Sequence, residues 1–155
     1  MDLPQVTRLR ERFLPGGAHL LGIDIRSPGW LDDVPRDRPA VVVTDGLMAL
    51  LSAASFIAMA RAVTAHFAEG ELAFNAYSRL AMRNSRRMRG GPLSMPTEGE
   101  GIDDPHEPET WDARLSLIEE LSMARAPEVA LFPPCCEWLP AWVPAAHASF
   151  APATA

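Results

Sequence analysis

The sequence predicts an α/β fold, an open sheet built on parallel strands with flanking helices, and three observations carry that reading. Residues 40–44, Ala-Val-Val-Val-Thr, are β-branched and continuous rather than alternating, the pattern of a strand covered on both faces. A helical pattern over 48–67 joins this run to a second apolar run at 71–75, and a strand, helix and strand of this length require a right-handed crossover and a parallel pair. Apolar runs also end in acids, at Asp24 and Asp45, where ligands sit in such sheets.

The remaining elements follow in order. Val6, Leu9 and Phe13 recur at helical spacing among Arg8, Arg10, Glu11 and Arg12, so residues 4–13 form a short amphipathic helix that Pro15-Gly16-Gly17 stops. Residues 19–24 are a brief apolar run, and Ser27-Pro28-Gly29 turns into Trp30 and Leu31. Residues 77–89 are helical, with Gly90-Gly91-Pro92 as the stop. The acidic, Gly- and Pro-rich stretch 94–108 is a surface loop or a lid. Residues 111–123 fit an edge strand or a helix equally by pattern. Residues 1–126 form the domain, and 127–155, interrupted by prolines, a poorly ordered tail.

Composition narrows the function classes. A 155-residue chain that is 48% hydrophobic can bury a core without staples. A net charge of −6 argues against a nucleic-acid partner, which requires excess positive charge. The longest apolar stretch, 47–60, is too short for a bilayer, so no membrane partner is expected. Cys135 and Cys136 are adjacent, a spacing that disfavours a disulfide and offers half a zinc site, and a reducing cytoplasm fits best. The four histidines are not spaced as a metal set. No nucleophile elbow occurs, so hydrolase chemistry has no support.

Asp2, Asp24 and Asp45 are the candidate ligand acids. Asp2 stands where a preceding strand would end and can accept both hydroxyls of a ribose; the alternative is a frayed terminus. Asp24 can accept the exocyclic amine of an adenine, or cap a helix. Gly46 lets the backbone after Asp45 approach a ligand closely, or simply makes the strand-to-helix turn. Arg79, Arg83, Arg86, Arg87 and Arg89 share a helical face that can hold an acidic substrate, although a solvated face is the favoured account. His106 is the histidine best placed to touch substrate, and Asp103-Asp104 beside it read as a turn or cap.

Five ordered segments carry a resemblance. Asp2-Leu3-Pro4 with Val6 and Arg10, Trp30-Leu31, Val41 through Leu47, Gly70 through Arg79, and Gly101 through Pro105 resemble the leucine carboxyl methyltransferase-like family, which includes the tetracenomycin-type polyketide O-methyltransferases. The resemblance implies a class I, Rossmann-like methyltransferase fold, S-adenosyl-L-methionine as cofactor, and methyl transfer to a carboxylate or hydroxyl of a small-molecule acceptor. Matched by position, Asp2 resembles the family's ribose-binding acid, Asp24 its adenine-contacting acid, and Asp45 replaces a glutamate. Leu50 stands where the family has tyrosine, and Asn75 where aspartate is common. The family's first strand and glycine-rich cofactor loop would precede Asp2, so the chain is expected to be an N-terminally truncated methyltransferase. Its other readings are a non-catalytic remnant or interaction module, self-association through a bare sheet edge, or assembly with a separately encoded N-terminal half.

Overall fold

The computed structural model describes residues 1–14, 16–87, 98–122 and 144–150. Met1–Pro35 is one compact unit and Arg36–Ala155 another.

In the first unit, helix α1 spans Pro4–Phe13. Proline at its first turn lacks an N–H the helix could not have used, and Arg10 and Arg12 lie in the last turn, where cations favour the dipole. Thr7 is the residue it buries, its hydroxyl donating to the Pro4 carbonyl at 3.0 Å. Leu9 and Phe13 stay exposed, and the Arg12 guanidinium lies 5.0 Å from the Phe13 ring centroid. Ahead of the helix, Asp2 pairs with Gly22 in a parallel bridge: the Asp2 amide donates to the Leu21 carbonyl at 3.1 Å, and the Ile23 amide donates to the Asp2 carbonyl at 2.9 Å. The brief run 19–24 is thus reduced to one bridge rather than a ladder.

The second unit is built on a four-stranded sheet. Strand β1 is Ala40–Thr44 and β2 is Gly70–Asn75, parallel and in register from Ala40 opposite Gly70 to Thr44 opposite Phe74. The crossover between them holds a one-turn helix α2, Leu47–Leu50, and helix α3, Ala53–His66. The sequence pattern reads as one helix here. It breaks at Ser52, which is extended and whose hydroxyl accepts from the Ser55 amide, capping α3. Helix α4 spans Arg79–Arg87, and a 3₁₀ turn covers Glu107–Thr110. Strand β3, Leu115–Ser122, resolves the edge-strand-or-helix ambiguity in favour of the edge strand.

Strand β4, Pro144–Phe150, lies antiparallel to both β2 and β3, giving the order β1-β2-β4-β3. Its residues belong to the stretch read from sequence as a poorly ordered tail. Alanine, serine and histidine give no strand signal of their own, and the ladder instead comes from pairing on both sides. Phe150, opposite Gly70 and Leu115, is buried. A side chain on Gly70 would collide with the Ala40 carbonyl and the Phe150 ring, so the tight fit of three strands depends on a hydrogen there. Residues 127–143, with the two cysteines, lie outside the described residues.

The core sits on one face of the sheet. Phe56 of α3 meets the rings of Phe74 and Trp111 edge-on at 5.2 and 5.8 Å, above Leu72 and beside Met59, Ala60 and Val63. The other face corrects the expectation that β1 is covered twice: Val41 and Val43 are 68% and 73% exposed. In register, Val42 and Thr44 share the Leu72 and Phe74 side that α3 covers, while among the described residues no element packs over Val41 and Val43.

Candidate functional site at the carboxyl ends of the strands

β1 and β2 are parallel and adjacent, so their last residues bring Asp45 and Asn75 together. The Asn75 side chain serves both ends of the Asp45-Gly46 turn. Its Nδ2 donates to Asp45 Oδ1 at 2.8 Å, and its Oδ1 accepts from the Gly46 amide at 2.7 Å. Nδ2 also faces the Tyr77 hydroxyl at 3.5 Å. Gly46 adopts φ +70°, a left-handed conformation that glycine takes without steric cost, and opens α2 from there. Asp45 remains exposed, with its second carboxylate oxygen engaged by no described residue.

The stretch read from sequence as a loop or lid is, in its described part from residue 98, packed and pinned. The Glu98 and Gly99 amides donate to the Ala49 carbonyl at 3.0 and 3.1 Å, and the Ile102 amide donates to the Tyr77 carbonyl at 2.8 Å. Gly101, at φ +82°, lies so close to Tyr77 and Ser78 that a Cβ would strike their backbone. Arg86 Nη2 donates to the Gly99 carbonyl at 2.7 Å. Gly99, Gly101, Ile102 and Pro108 are buried.

These segments line a small, partly open cavity beside the strand ends. Met48, Phe56, Ile57, Ile102 and Trp111 form its apolar lining, with Arg79, Glu100 and Glu107 as its charged groups. The Arg79 Nη2 donates to Glu107 Oε2 at 2.6 Å, while its Nη1 lies 3.9 Å from Asp103 Oδ2. The Arg79 amide donates to Asp103 Oδ1 at 2.9 Å, and the Ala81 amide to the Ser78 hydroxyl at 3.1 Å, so the start of α4 is capped twice.

The sequence-derived candidates divide accordingly. Asp45 and Gly46 meet, at the strand ends. In the first unit, Asp2 is in register with Gly22, which puts Asp24 two residues beyond it on the neighbouring segment. One Asp2 oxygen accepts from the Leu3 amide at 2.8 Å. Asp24 is held by Arg26, whose amide, Nε and Nη2 donate to it at 2.9, 3.0 and 2.6 Å. That side-chain hydrogen bond, more than the backbone one, lowers the Asp24 carboxyl to about 2. His106 opens the 3₁₀ turn. Its ring Nδ1 is 3.1 Å from Glu109 Oε2, and it is not among the cavity's lining residues, whereas its neighbour Glu107 is. Of the arginine cluster, Arg79 lines the cavity and Arg86 braces the loop, while Arg83 and Arg87 are exposed and Arg89 lies outside the described residues.

Sequence reasoning missed the bracing role of Asn75 and the joint contribution of Glu107, Ile102 and Trp111. The acidic loop composition gave no sign of the packing. The buried Ile102 and Trp111, apolar residues flanking a polar loop, were the available signal. Among the described residues no cluster of metal-ligating side chains occurs, and no helix is long and apolar enough to cross a membrane.

No family model matches the chain. It is 33% identical over 141 residues to the tetracenomycin polyketide synthesis O-methyltransferase TcmP of Streptomyces glaucescens, an alignment covering 90% of this chain and 52% of that protein. It is 32% identical over 134 residues to the S-adenosyl-L-methionine-dependent methyltransferase dpfgK of Gibberella zeae, covering 77% of this chain and 45% of the relative. The chain spans about half the length of the curated relatives it matches. Among solved structures, a DUF574 family protein of Streptomyces avermitilis superposes with a TM-score of 0.60 over 97% of this chain and 63% of its own, at 13% identity, which speaks to fold alone. The α/β architecture, the parallel β1–β2 pair and the sequence likeness agree: the chain is a homologue of the tetracenomycin-type polyketide O-methyltransferases over the stretch they share.

Proposed function

We propose that the chain is the part of an S-adenosylmethionine-dependent O-methyltransferase that carries the rim of the cofactor site and one wall of the acceptor site. The observation that carries this is the braced Asp45-Gly46 turn at the carboxyl ends of two adjacent parallel strands. When bound, the cofactor supplies an electrophilic methyl group on a sulfonium.

The groups present suit such a ligand. Asp45 offers a carboxylate oxygen that no described residue engages to a cationic or hydroxyl-bearing group, and Gly46 removes the side chain that would hold a ligand away from the backbone. In the first unit, taken by itself, the resemblance gives Asp2 as the acceptor for ribose hydroxyls and Asp24 for an adenine amine, Asp24 by sharing or displacing Arg26, an exposed pair whose loss costs little. The chain's own part in the chemistry is to bind, align and exclude water, because methyl transfer needs alignment more than covalent help. The apolar lining of Met48, Phe56, Ile57, Ile102 and Trp111 performs the exclusion. His106, one residue from Glu107, would meet only the outer part of an acceptor.

Calorimetric titration of S-adenosylmethionine into the purified chain tests the reading. Binding that Asp45→Ala weakens is the expected result. No heat at millimolar ligand would overturn it and favour a non-catalytic module.

A further inference from the structure

We infer that β1 is a docking edge for a second copy of this chain, two β1 strands pairing antiparallel about a two-fold axis and joining two sheets into one. This goes beyond the methyltransferase reading and does not depend on it.

β1 stands at the end of the strand order, so among the described residues no strand pairs along its outer side. The Ala40 amide donates to the Glu69 carbonyl at 3.3 Å, which turns the Ala40 backbone toward β2. Backbone groups alternate in direction along a parallel strand, so Val42 and Thr44 also face β2, while Val41 and Val43 present their N–H and C=O groups outward. The same two valines carry the exposed side chains of the strand. Proteins blunt such edges with charges, prolines and bulges. Residues 40–44 hold no charged side chain and no proline, and their register with β2 is unbroken.

A second copy fits this edge by symmetry and by charge. A two-fold contact brings residue i of one copy to residue j of the other and j to i, which for a single strand edge means antiparallel pairing. With Val41 opposite Val43 of the second copy, valine meets valine twice, and each such pair exchanges both backbone hydrogen bonds. The strand ends are then complementary. Arg38 comes beside Asp45 of the second copy, and the same contact recurs at the other end. Asp45 has a carboxylate oxygen that no described residue engages, and the pairing of Arg38 with its exposed neighbour Asp37 costs little to share. The adjacent registers are poorer: Val41 opposite itself sets Asp37 against Asp45, and Val43 opposite itself sets Val41 against Asp45. Two five-residue edges are too short to bury the roughly 1,000 Å² of a stable interface, so the dimer is weak and forms as concentration rises.

Sedimentation velocity and amide hydrogen exchange of the full chain over a concentration series test this, with circular dichroism as the check on folding. The expected result is reversible dimerisation in which exchange at Val41 and Val43 slows with rising concentration while Val42 and Thr44 keep their rates. Val43→Lys puts a charge on the edge, and Arg38→Glu sets an acid beside Asp45 at both ends of the contact. Each should raise the dimer dissociation constant about tenfold. Val43→Thr keeps a β-branched side chain and should change it less than about twofold. A chain that stays monomeric at every concentration overturns the inference. So does a dimer that ignores Val43→Lys or Arg38→Glu, and so does protection of Val41 and Val43 that is already complete at the lowest concentration, which would put the covering strand within one chain.

Discussion

Asn75 ties β2 to the turn after β1 by donating to Asp45 and accepting from Gly46, a two-ended clasp between residues 30 apart in sequence. An amide is the smallest side chain that can do both, since a carboxylate has no donor for Asp45 and a hydroxyl is too short to span the two. Asn75→Ala should therefore cost about 1–2 kcal/mol of stability for one part-buried and one exposed hydrogen bond, and weaken S-adenosylmethionine roughly tenfold by loosening the turn. Asn75→Asp should keep the Gly46 bond but set two carboxylates against each other. Thermal melts and calorimetric titrations of both variants check this, and cofactor binding unchanged in Asn75→Ala would remove the clasp from the site.

Asp24 provides a test in the other unit. The Arg26 side chain, and then its amide, hold the Asp24 carboxyl at about 2 instead of the ordinary 3.8. In Arg26→Ala the side-chain bond is gone, and the carboxyl should move back toward its ordinary value. Carboxyl-carbon NMR titration of the two proteins reads both midpoints. If an adenine amine competes for the same oxygens, Arg26→Ala also tightens S-adenosylmethionine, whereas weaker binding would show that Arg26 orients the acid.

How much of this was legible in the sequence depended on whether the signal was local. Three valines in succession marked β1 to the residue, because a continuous β-branched run has few other uses. The coverage of that strand was not legible, since exposure of Val41 and Val43 depends on what packs above them. β4 was invisible for the opposite reason: its alanines and serine acquire strand structure from β2 and β3 on either side. At the site, each acid after a strand could be listed from sequence. The cavity could not, because it joins Met48 and Phe56 to Arg79 and to residues 100–111, separations that only the fold closes.

Phe56 should be the most costly side chain to truncate. It is 1% exposed and touches both Phe74 and Trp111 edge-on, and those three rings join α3, β2 and the loop that closes the cavity. Phe56→Ala should lose about 3–5 kcal/mol, from lost burial and the cavity left behind, and Phe56→Leu much less. Urea unfolding followed by circular dichroism gives both values. A loss under 1 kcal/mol for the alanine variant would mean the three rings do not form the core.

The pH dependence of stability should trace in part to Asp112. The Arg114 amide donates to one of its oxygens at 2.9 Å and the Thr64 hydroxyl to the other at 2.8 Å, and these bonds, the backbone one first, hold its carboxyl below the ordinary 3.8 against the opposing effect of burial. Since the folded state binds the proton less readily than the unfolded chain, the stabilisation is fully present above the unfolded value and disappears as pH falls through the folded one. Thr64 is fully buried on α3, so the same contact pins that helix to the segment leading into β3. Asp112→Asn should lower stability at pH 7 and flatten its fall below pH 4, and Thr64→Val should cost about 1 kcal/mol at neutral pH. Unfolding free energies measured from pH 7 down to pH 3 decide the matter: parallel curves for the wild type and Asp112→Asn would assign the acid sensitivity to other carboxylates.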